Sequence, residues 1–365
     1  MKYIDEFRDR KLIDKVAGQI RRVADPGRAY NIMEVCGTHT MSIFRFGLRD
    51  ILPYNIRLIS GPGCPVCVTP NEFIDKAIAI ANMKDVIVAT FGDMLKVPGS
   101  RSSLEKEKAR GPDIRIVYSS LDALEMARKN PRKEVVFLGI GFETTAPTVA
   151  QSLIIAKKWK LKNYSVLCGH KTMPEVMEAL VRDKLTKVGA FLLPGHVSAI
   201  TGISPYQFLS KKYNKNCVVS GFEPLDILQS ILMVIKQAVP KVQIQYNRII
   251  ETNGNPLARK AINKVFEKCP SVWRGIGRVK DSGLKIKRSY KKFDAESKFR
   301  PKIEAPKDSI RCFCGYILKG LKTPYDCPSF ARTCTPENPV GACMVSSEGT
   351  CAAYYKYGKN TISSR

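Results

Sequence analysis

The sequence predicts an α/β protein: two similar parallel-sheet α/β lobes facing a cleft, plus a small cysteine-rich C-terminal domain. The first observation is alternation. Short apolar runs at 31–35, 56–60, 86–90, 114–118, 135–140, 164–169, 190–194 and 216–220 are separated by helix-length stretches. Their starts lie 25, 30 and 28 residues apart, then 29, 26 and 26, the spacing of strand–helix units in covered parallel sheets. The second is a repeat: the first four strands and the second four are followed by matching types of polar loop. The third is crowding, since Cys312, Cys314, Cys327, Cys334, Cys343 and Cys351 fall within one short stretch punctuated by Pro and Gly.

In chain order, Ile4, Phe7, Leu12, Val16 and Ile20 lie at helical spacing, and Asp25-Pro26-Gly27 stops that helix. The strand at 31–35 opens into Cys36-Gly37-Thr38-His39-Thr40. After 56–60 comes the stretch around which the chain is organised, Gly61-Pro62-Gly63-Cys64-Pro65-Val66-Cys67. Thr69-Pro70-Asn71-Glu72 then reads as a capping box with proline at the first helical position, followed by an apolar face of Phe73, Ile74, Ala77, Ile78 and Ala81. The paired thiols are thus expected on a strand-to-helix turn at the positive end of a helix dipole, which favours thiolate; a purely structural turn is the alternative.

The second set repeats the plan. Gly141-Phe142-Glu143-Thr144-Thr145 answers the Cys36 loop, and Gly169-His170-Lys171-Thr172-Met173-Pro174-Glu175 answers the Gly61 turn. Pro194-Gly195-His196 answers Phe91-Gly92-Asp93. Domains are therefore expected at 1–120, 121–240 and 241–365, the last comprising a basic linker region and the cysteine cluster. Ligands of open parallel sheets bind beyond the carboxyl ends of the strands. Cys36, His39, Cys64, Cys67, Glu143, Thr144, Thr145, His170 and His196 are accordingly expected to line one cleft. Neither a phosphate-binding loop nor a dinucleotide fingerprint occurs.

In the C-terminal domain, zinc would favour short C-x-x-C knuckles, and none occurs there. The looser run of Cys312, Cys327, Cys334 and Cys351 suits four thiolates around an iron–sulfur cluster, with zinc as the alternative. Cys314 and Cys343 remain as a redox pair. Cys168, Cys217 and Cys269 read as buried or incidental thiols.

Composition narrows the class. The 365 residues contain twelve cysteines and no apolar run of transmembrane length, and the N-terminus does not open as a signal peptide. A cytoplasmic protein is expected, whose cysteines serve metal or redox chemistry rather than a disulfide framework. The net charge of +27 includes ten Lys/Arg against three Asp/Glu between Arg278 and Lys302. That excess reads as a solvated basic face. No zinc-finger or RNP signature accompanies it, so neither nucleic acid nor membrane is an expected partner.

The motifs together resemble the NiFe-hydrogenase maturation factor HypD family over essentially the whole length. They are Met33-Glu34-Val35-Cys36-Gly37-Thr38-His39-Thr40, Gly61 to Cys67, Gly141 to Thr145, Leu193-Pro194-Gly195-His196-Val197, Ser220-Gly221-Phe222-Glu223-Pro224, and the block from Cys327 to Tyr355. The resemblance implies a scaffold on which the Fe(CN)2CO moiety of NiFe hydrogenase is assembled. It implies HypC as the small chaperone sharing the iron with Cys36, and HypE as cyanide donor with HypF upstream. It also implies a 4Fe-4S cluster on Cys312, Cys327, Cys334 and Cys351, with Cys314 and Cys343 beside it. The rival class is a cluster-dependent disulfide reductase resembling ferredoxin:thioredoxin reductase, which leaves Cys36 without a task.

Overall fold

Strands buried on both faces read as unbroken apolar runs, and each of the eight expected runs forms one. The computed structural model describes residues 2, 4–307 and 311–358. The strands are β1 (Tyr30–Glu34), β2 (Ile56–Ser60), β3 (Val86–Thr90), β4 (Asp113–Ile116), β5 (Glu134–Gly139), β6 (Tyr164–Cys168), β7 (Ala190–Pro194) and β8 (Asn216–Ser220). A short β9 (Val242–Ile244) follows. They pair in parallel as two sheets, ordered β2-β1-β7-β8-β9 and β4-β3-β5-β6.

The lobes are nested, not consecutive, and this corrects the boundaries expected at residues 120 and 240. The first lobe holds the first two strands and the last three, and the second lobe is inserted between β2 and β7. Within itself each sheet runs second-first-third-fourth, so the repeat is real in order but pairs different strands than expected. Strand–helix spacing carries no information about which strands become neighbours, because a crossover within a lobe and one between lobes need similar lengths of chain. The basic region beyond residue 241 is also no linker. It supplies β9, then an antiparallel hairpin of β10 (Phe266–Trp273) and β11 (Gly277–Ile286), whose register breaks around Pro270.

Two local expectations separate. The N-terminal helix Arg10–Val23 is capped by Asp9, which accepts from Leu12 N–H at 2.9 Å, and ends before Asp25. Ile4 precedes a separate turn, Asp5–Phe7, which contains Phe7. The helix Asn71–Ala81 begins without the expected box: Pro70 is its N-cap, and Thr69 Oγ1 donates instead to Pro65 O at 2.8 Å. A preceding helical turn, Pro65–Val68, offers that carbonyl.

The largest apolar core runs through both lobes into the cysteine-rich segment. Val35, Cys67, Leu138, Phe191, Ile317 and Met344 belong to one cluster. The C-terminal segment therefore shares a core with the lobes. The helix Thr350–Tyr357 packs on the helix Gly37–Arg45, with the Tyr354 and Phe44 rings 4.3 Å apart.

Candidate functional site

In the first sheet, strand order reverses between β1 and β7, the point where open α/β sheets offer a crevice. Cys36 stands there, as the N-cap of the helix Gly37–Arg45. The loop after β2 locks against it: Gly37 N–H donates to Gly63 O at 3.0 Å, and a Cβ on Gly63 would lie 2.3 Å from Cys36 N. Only glycine permits that approach. Cys64 follows directly and caps the turn Pro65–Val68, its Sγ accepting from Cys67 N–H at 3.3 Å. The loops of Cys36, Cys64 and Cys67 thus come together as expected.

Their electrostatics differ from expectation. Cys36, Cys64 and Cys67 are 8, 3 and 0 % exposed, so they lie beneath the surface rather than in an open cleft. Burial pushes the Cys36 thiol up to about 12, and the nearby Glu348 charge adds to the shift. Burial also pushes Cys67 well above the usual thiol range. A four-residue helix has too little dipole to offset desolvation. Both thiols keep their protons at neutral pH unless a cation arrives to replace them.

Two histidines join the Cys36 loop. Phe222 is sandwiched between them, its ring 4.7 Å from that of His39 and 3.9 Å from that of His196. His39 Nε2 lies 3.0 Å from Gly221 O and 3.3 Å from Ser220 O, so it carries the hydrogen. Burial lowers the His39 pKa to about 4, leaving a neutral ring. His196 is at the surface of this group. Glu348 closes it from the C-terminal segment, accepting from Thr38 Oγ1 at 2.6 Å. A Cβ on Gly37 would lie 2.5 Å from Glu348 Cβ and from its carbonyl oxygen. The backbone that Gly37 admits is therefore that of Glu348. Beneath Cys36, the fully buried Glu34 accepts from Thr40 Oγ1 at 2.5 Å, and burial raises its pKa to about 8.

Glu143, Thr144, Thr145 and His170 stand elsewhere, at the carboxyl ends of β5 and β6. Glu143 is buried, with a pKa raised by burial to about 8, and accepts from Met173 N–H at 3.1 Å. Thr145 presses on Gly141, whose φ of +146° leaves no room for a Cβ. Thr144 is half-buried beside them. His170 is buried, its Nδ1 3.4 Å from Gly141 O, and desolvation lowers its pKa to about 4. These residues hold the 169–173 loop against the hairpin, as Thr172 N–H donating to Ser282 O at 2.9 Å illustrates. Cys36, His39 and His196 thus follow strands of the first sheet, and Glu143, Thr144, Thr145 and His170 follow strands of the second.

The cysteines beyond residue 311 reach the Cys36 group from behind. Cys314 Sγ and Cys343 Sγ are 2.7 Å apart, and Cys67 and Cys351 are close enough to Cys343 to influence its proton. Cys67 N–H in turn meets Cys64 Sγ at 3.3 Å, and Cys312 stands two residues before Cys314. Cys312, Cys314, Cys327, Cys334, Cys343 and Cys351 line one enclosed cavity. A Cβ on Gly341 would come within 2.4 Å of Cys312 Sγ. Among the described residues, no three His, Cys, Asp or Glu side chains are grouped so as to hold a metal ion, and all twelve cysteines are free thiols. No helix among them is long and apolar enough to cross a membrane.

Sequence reasoning gave no role to Glu348, Glu34 or Phe222. All three sit inside recognised motifs, but Glu348 reaches Thr38 from 310 residues away, a pairing no local pattern signals.

The family model described as "HypD: Hydrogenase formation hypA family" matches residues 11–358. The hydrogenase maturation factor HypD of Cupriavidus necator is 47 % identical over 370 residues, covering 98 % of each chain. Those of Rhodobacter capsulatus and Escherichia coli are 46 and 44 % identical, again covering 98 % of each chain. A match of that extent, taken with the interlocked Cys36 and Cys64 loops, places the chain in the HypD family of hydrogenase maturation proteins.

Proposed function

We propose that the protein is a scaffold for assembling the Fe(CN)2CO moiety of NiFe hydrogenase, with iron held between Cys36 and a cysteine of HypC. One observation carries the reading. Neighbouring thiols run from Cys64, beside the Cys36 loop, through Cys67 and Cys343 to Cys314 and Cys312, and the Cys343 and Cys314 sulfurs are in contact. Thiolates are soft donors suited to iron bearing cyanide and carbonyl. Burial keeps Cys36 protonated until the iron arrives, and the neighbouring Glu348 charge acts in the same direction. His196 and Thr38 border the same position and can hydrogen-bond ligand nitrogens.

Cyanide would come from a HypE thiocyanate, with HypF upstream. Cleaving its C–S bond to free cyanide and a thiol takes an electron pair and a proton. A dithiol closing to a disulfide supplies both, and Cys64 with Cys67 stands nearest to Cys36. The donor set of Cys312, Cys327, Cys334 and Cys351 is all sulfur and faces one cavity, which fits a 4Fe-4S cluster. When bound, such a cluster supplies single electrons to the adjoining thiols. The disulfide-reductase reading gains from the Cys314–Cys343 contact. Its weakness is that both sulfurs are buried, leaving a protein disulfide no approach.

The test is infrared spectroscopy of the protein co-purified with HypC. Cyanide and carbonyl bands are expected with native protein and absent from Cys36→Ala protein that still binds HypC. A full set of bands in that variant would move the iron to Cys64 and Cys67.

A further inference from the structure

A second cavity meets the thiol run from the protein's exterior. It encloses about 490 Å³ beside the helix Cys314–Leu318, with Cys312 and Cys314 in its lining. Arg274, Lys307 and Lys319 stand around it, and no carboxylate is among the described lining residues. Arg274 is only 8 % exposed, and its guanidinium donates to Thr69 O at 2.6 Å and Pro98 O at 2.9 Å. Its charge is thereby fixed in the wall. Lys319 is half-buried and keeps one ion pair, with Asp183 at 3.4 Å. The wall fits closely: a Cβ on Gly315 would lie 2.6 Å from Gly275 O, so glycine lets the Cys314 helix seat there.

The two sulfurs of the Cys314–Cys343 pair differ in access. Cys314 lines this cavity, whereas Cys343 is 1 % exposed and faces Cys67 and Cys351. We propose that the cavity admits an anionic low-molecular-weight thiol, which reduces a Cys314–Cys343 disulfide by attack at Cys314. The proposal rests on the reading above, in which dithiols give up an electron pair and must be reduced again. Its volume is that of a small-molecule pocket rather than a protein-docking surface. Fixed cations raise the local concentration of anions, and the attacking form of a thiol is itself an anion.

The step balances. A thiolate forms a bond to Cys314 Sγ as the Cys314–Cys343 bond breaks, and Cys343 leaves as a thiolate that takes a proton from solvent. A second thiolate attacks the bound reagent's sulfur, releasing the reagent's disulfide, and Cys314 is protonated in turn. Two reagent thiols are oxidised as one protein disulfide is reduced.

The test oxidises the full-length protein with diamide under argon and locates the disulfide by peptide mass spectrometry. The oxidised protein is then reacted with 2-mercaptoethanesulfonate, 2-mercaptoethanol and cysteamine, which are similar in size but anionic, neutral and cationic. At matched thiolate concentration, the anionic reagent is expected to react about tenfold faster than the neutral one, with the cationic one slowest. Arg274→Gln or Lys319→Gln should shrink that order, as should molar salt. Lys319→Gln keeps the test open if Arg274→Gln fails to fold. Equal rates for the three reagents would overturn the proposal, as would adducts on Cys343 rather than Cys314, or no Cys314–Cys343 disulfide. If the charge order holds but no infrared bands form with HypC, the scaffold reading fails alone. If bands form and the reagents react alike, only the cavity proposal fails.

Discussion

Replacing Gly63 by alanine perturbs the Cys36 loop while leaving every proposed ligand side chain in place. The added methyl would lie 2.3 Å from Cys36 N, 2.4 Å from Cys36 Cα and 2.4 Å from Val35 C. Carbon atoms in packed protein sit roughly 3.5–4.0 Å apart, so about 1 Å of movement is demanded. All three neighbours are main-chain atoms, and no side-chain rotation relieves the contact. Overpacking of this kind costs about 1–3 kcal/mol. Straining the bond from Gly37 N–H to Gly63 O adds about 1 kcal/mol. At roughly 2–4 °C per kcal/mol for a large domain, the melting temperature should fall by roughly 4–16 °C. Gly18→Ala is the control with opposite sign. Gly18 is inside the helix Arg10–Val23 with no atom nearer than 3.8 Å to a new Cβ, so it should gain about 1 kcal/mol. The assay is calorimetry alongside iodoacetamide labelling of Cys36, which should quicken as the loop opens. Unchanged melting and unchanged labelling in Gly63→Ala would refute the interlocked-loop account.

Alanine at any one of Cys312, Cys327, Cys334 or Cys351 should lower iron and sulfide together in anaerobically purified protein; stoichiometric zinc without sulfide in the native protein would overturn the cluster assignment. Glu143, raised to about 8 by burial, binds its proton more tightly folded than unfolded. Its contribution to stability is therefore full below the unfolded pKa of about 4.3 and is lost as pH rises through 8. His170 acts with the opposite sign, since its pKa is lowered to about 4: its contribution is present above about 6.5 and is lost as pH falls through 4. Urea denaturation across pH 5–8 should show Glu143→Gln with a flatter decline than the native protein, and a parallel decline would count against a buried neutral carboxyl. Phe222→Ala should lose both ring stacks, at about 1 kcal/mol each, and Phe222→Leu somewhat less; equal stabilities in urea would deny the stacks any role.

The strands were legible because buried parallel strands must be apolar throughout, and β2, β3, β7 and β8 begin and end where their runs do. Loops at strand ends identified Cys36, Cys64, Cys67 and His196 for the same reason. Their mutual arrangement was not legible. Glu143 and His196 were expected together on the second lobe, but His196 follows β7 in the first sheet, beside the Cys36 loop, while Glu143 follows β5 in the second. Thr69 looked like a cap because a capping box is a local pattern, whereas the carbonyl that captured it belongs to a helical turn formed by Pro65. Glu348 was silent because nothing near it in sequence depends on its carboxylate. The thiol helix dipole failed on magnitude: one turn of helix does not outweigh complete burial at Cys67.

The nesting of one lobe inside the other sets a schedule for synthesis. β1 emerges early but cannot gain its neighbour β7 until everything from residue 61 to residue 189 has been made. At roughly 5–20 residues per second, that interval is on the order of ten seconds. The inserted lobe has its four strands before then, since they are contiguous in the chain, but Phe266, Leu284, Tyr290 and Phe293 join its core only later. The first lobe must wait with a two-stranded fragment, keeping the edge of β1 unpaired and Cys36 uncovered. Glu348 and the helix Thr350–Tyr357 follow every strand of both sheets, so the pocket around Cys36 closes only after both sheets have been made. A ribosome stalled past β6 would carry one paired sheet and an open thiol, a species that metal or oxidant can reach before the finished fold exists.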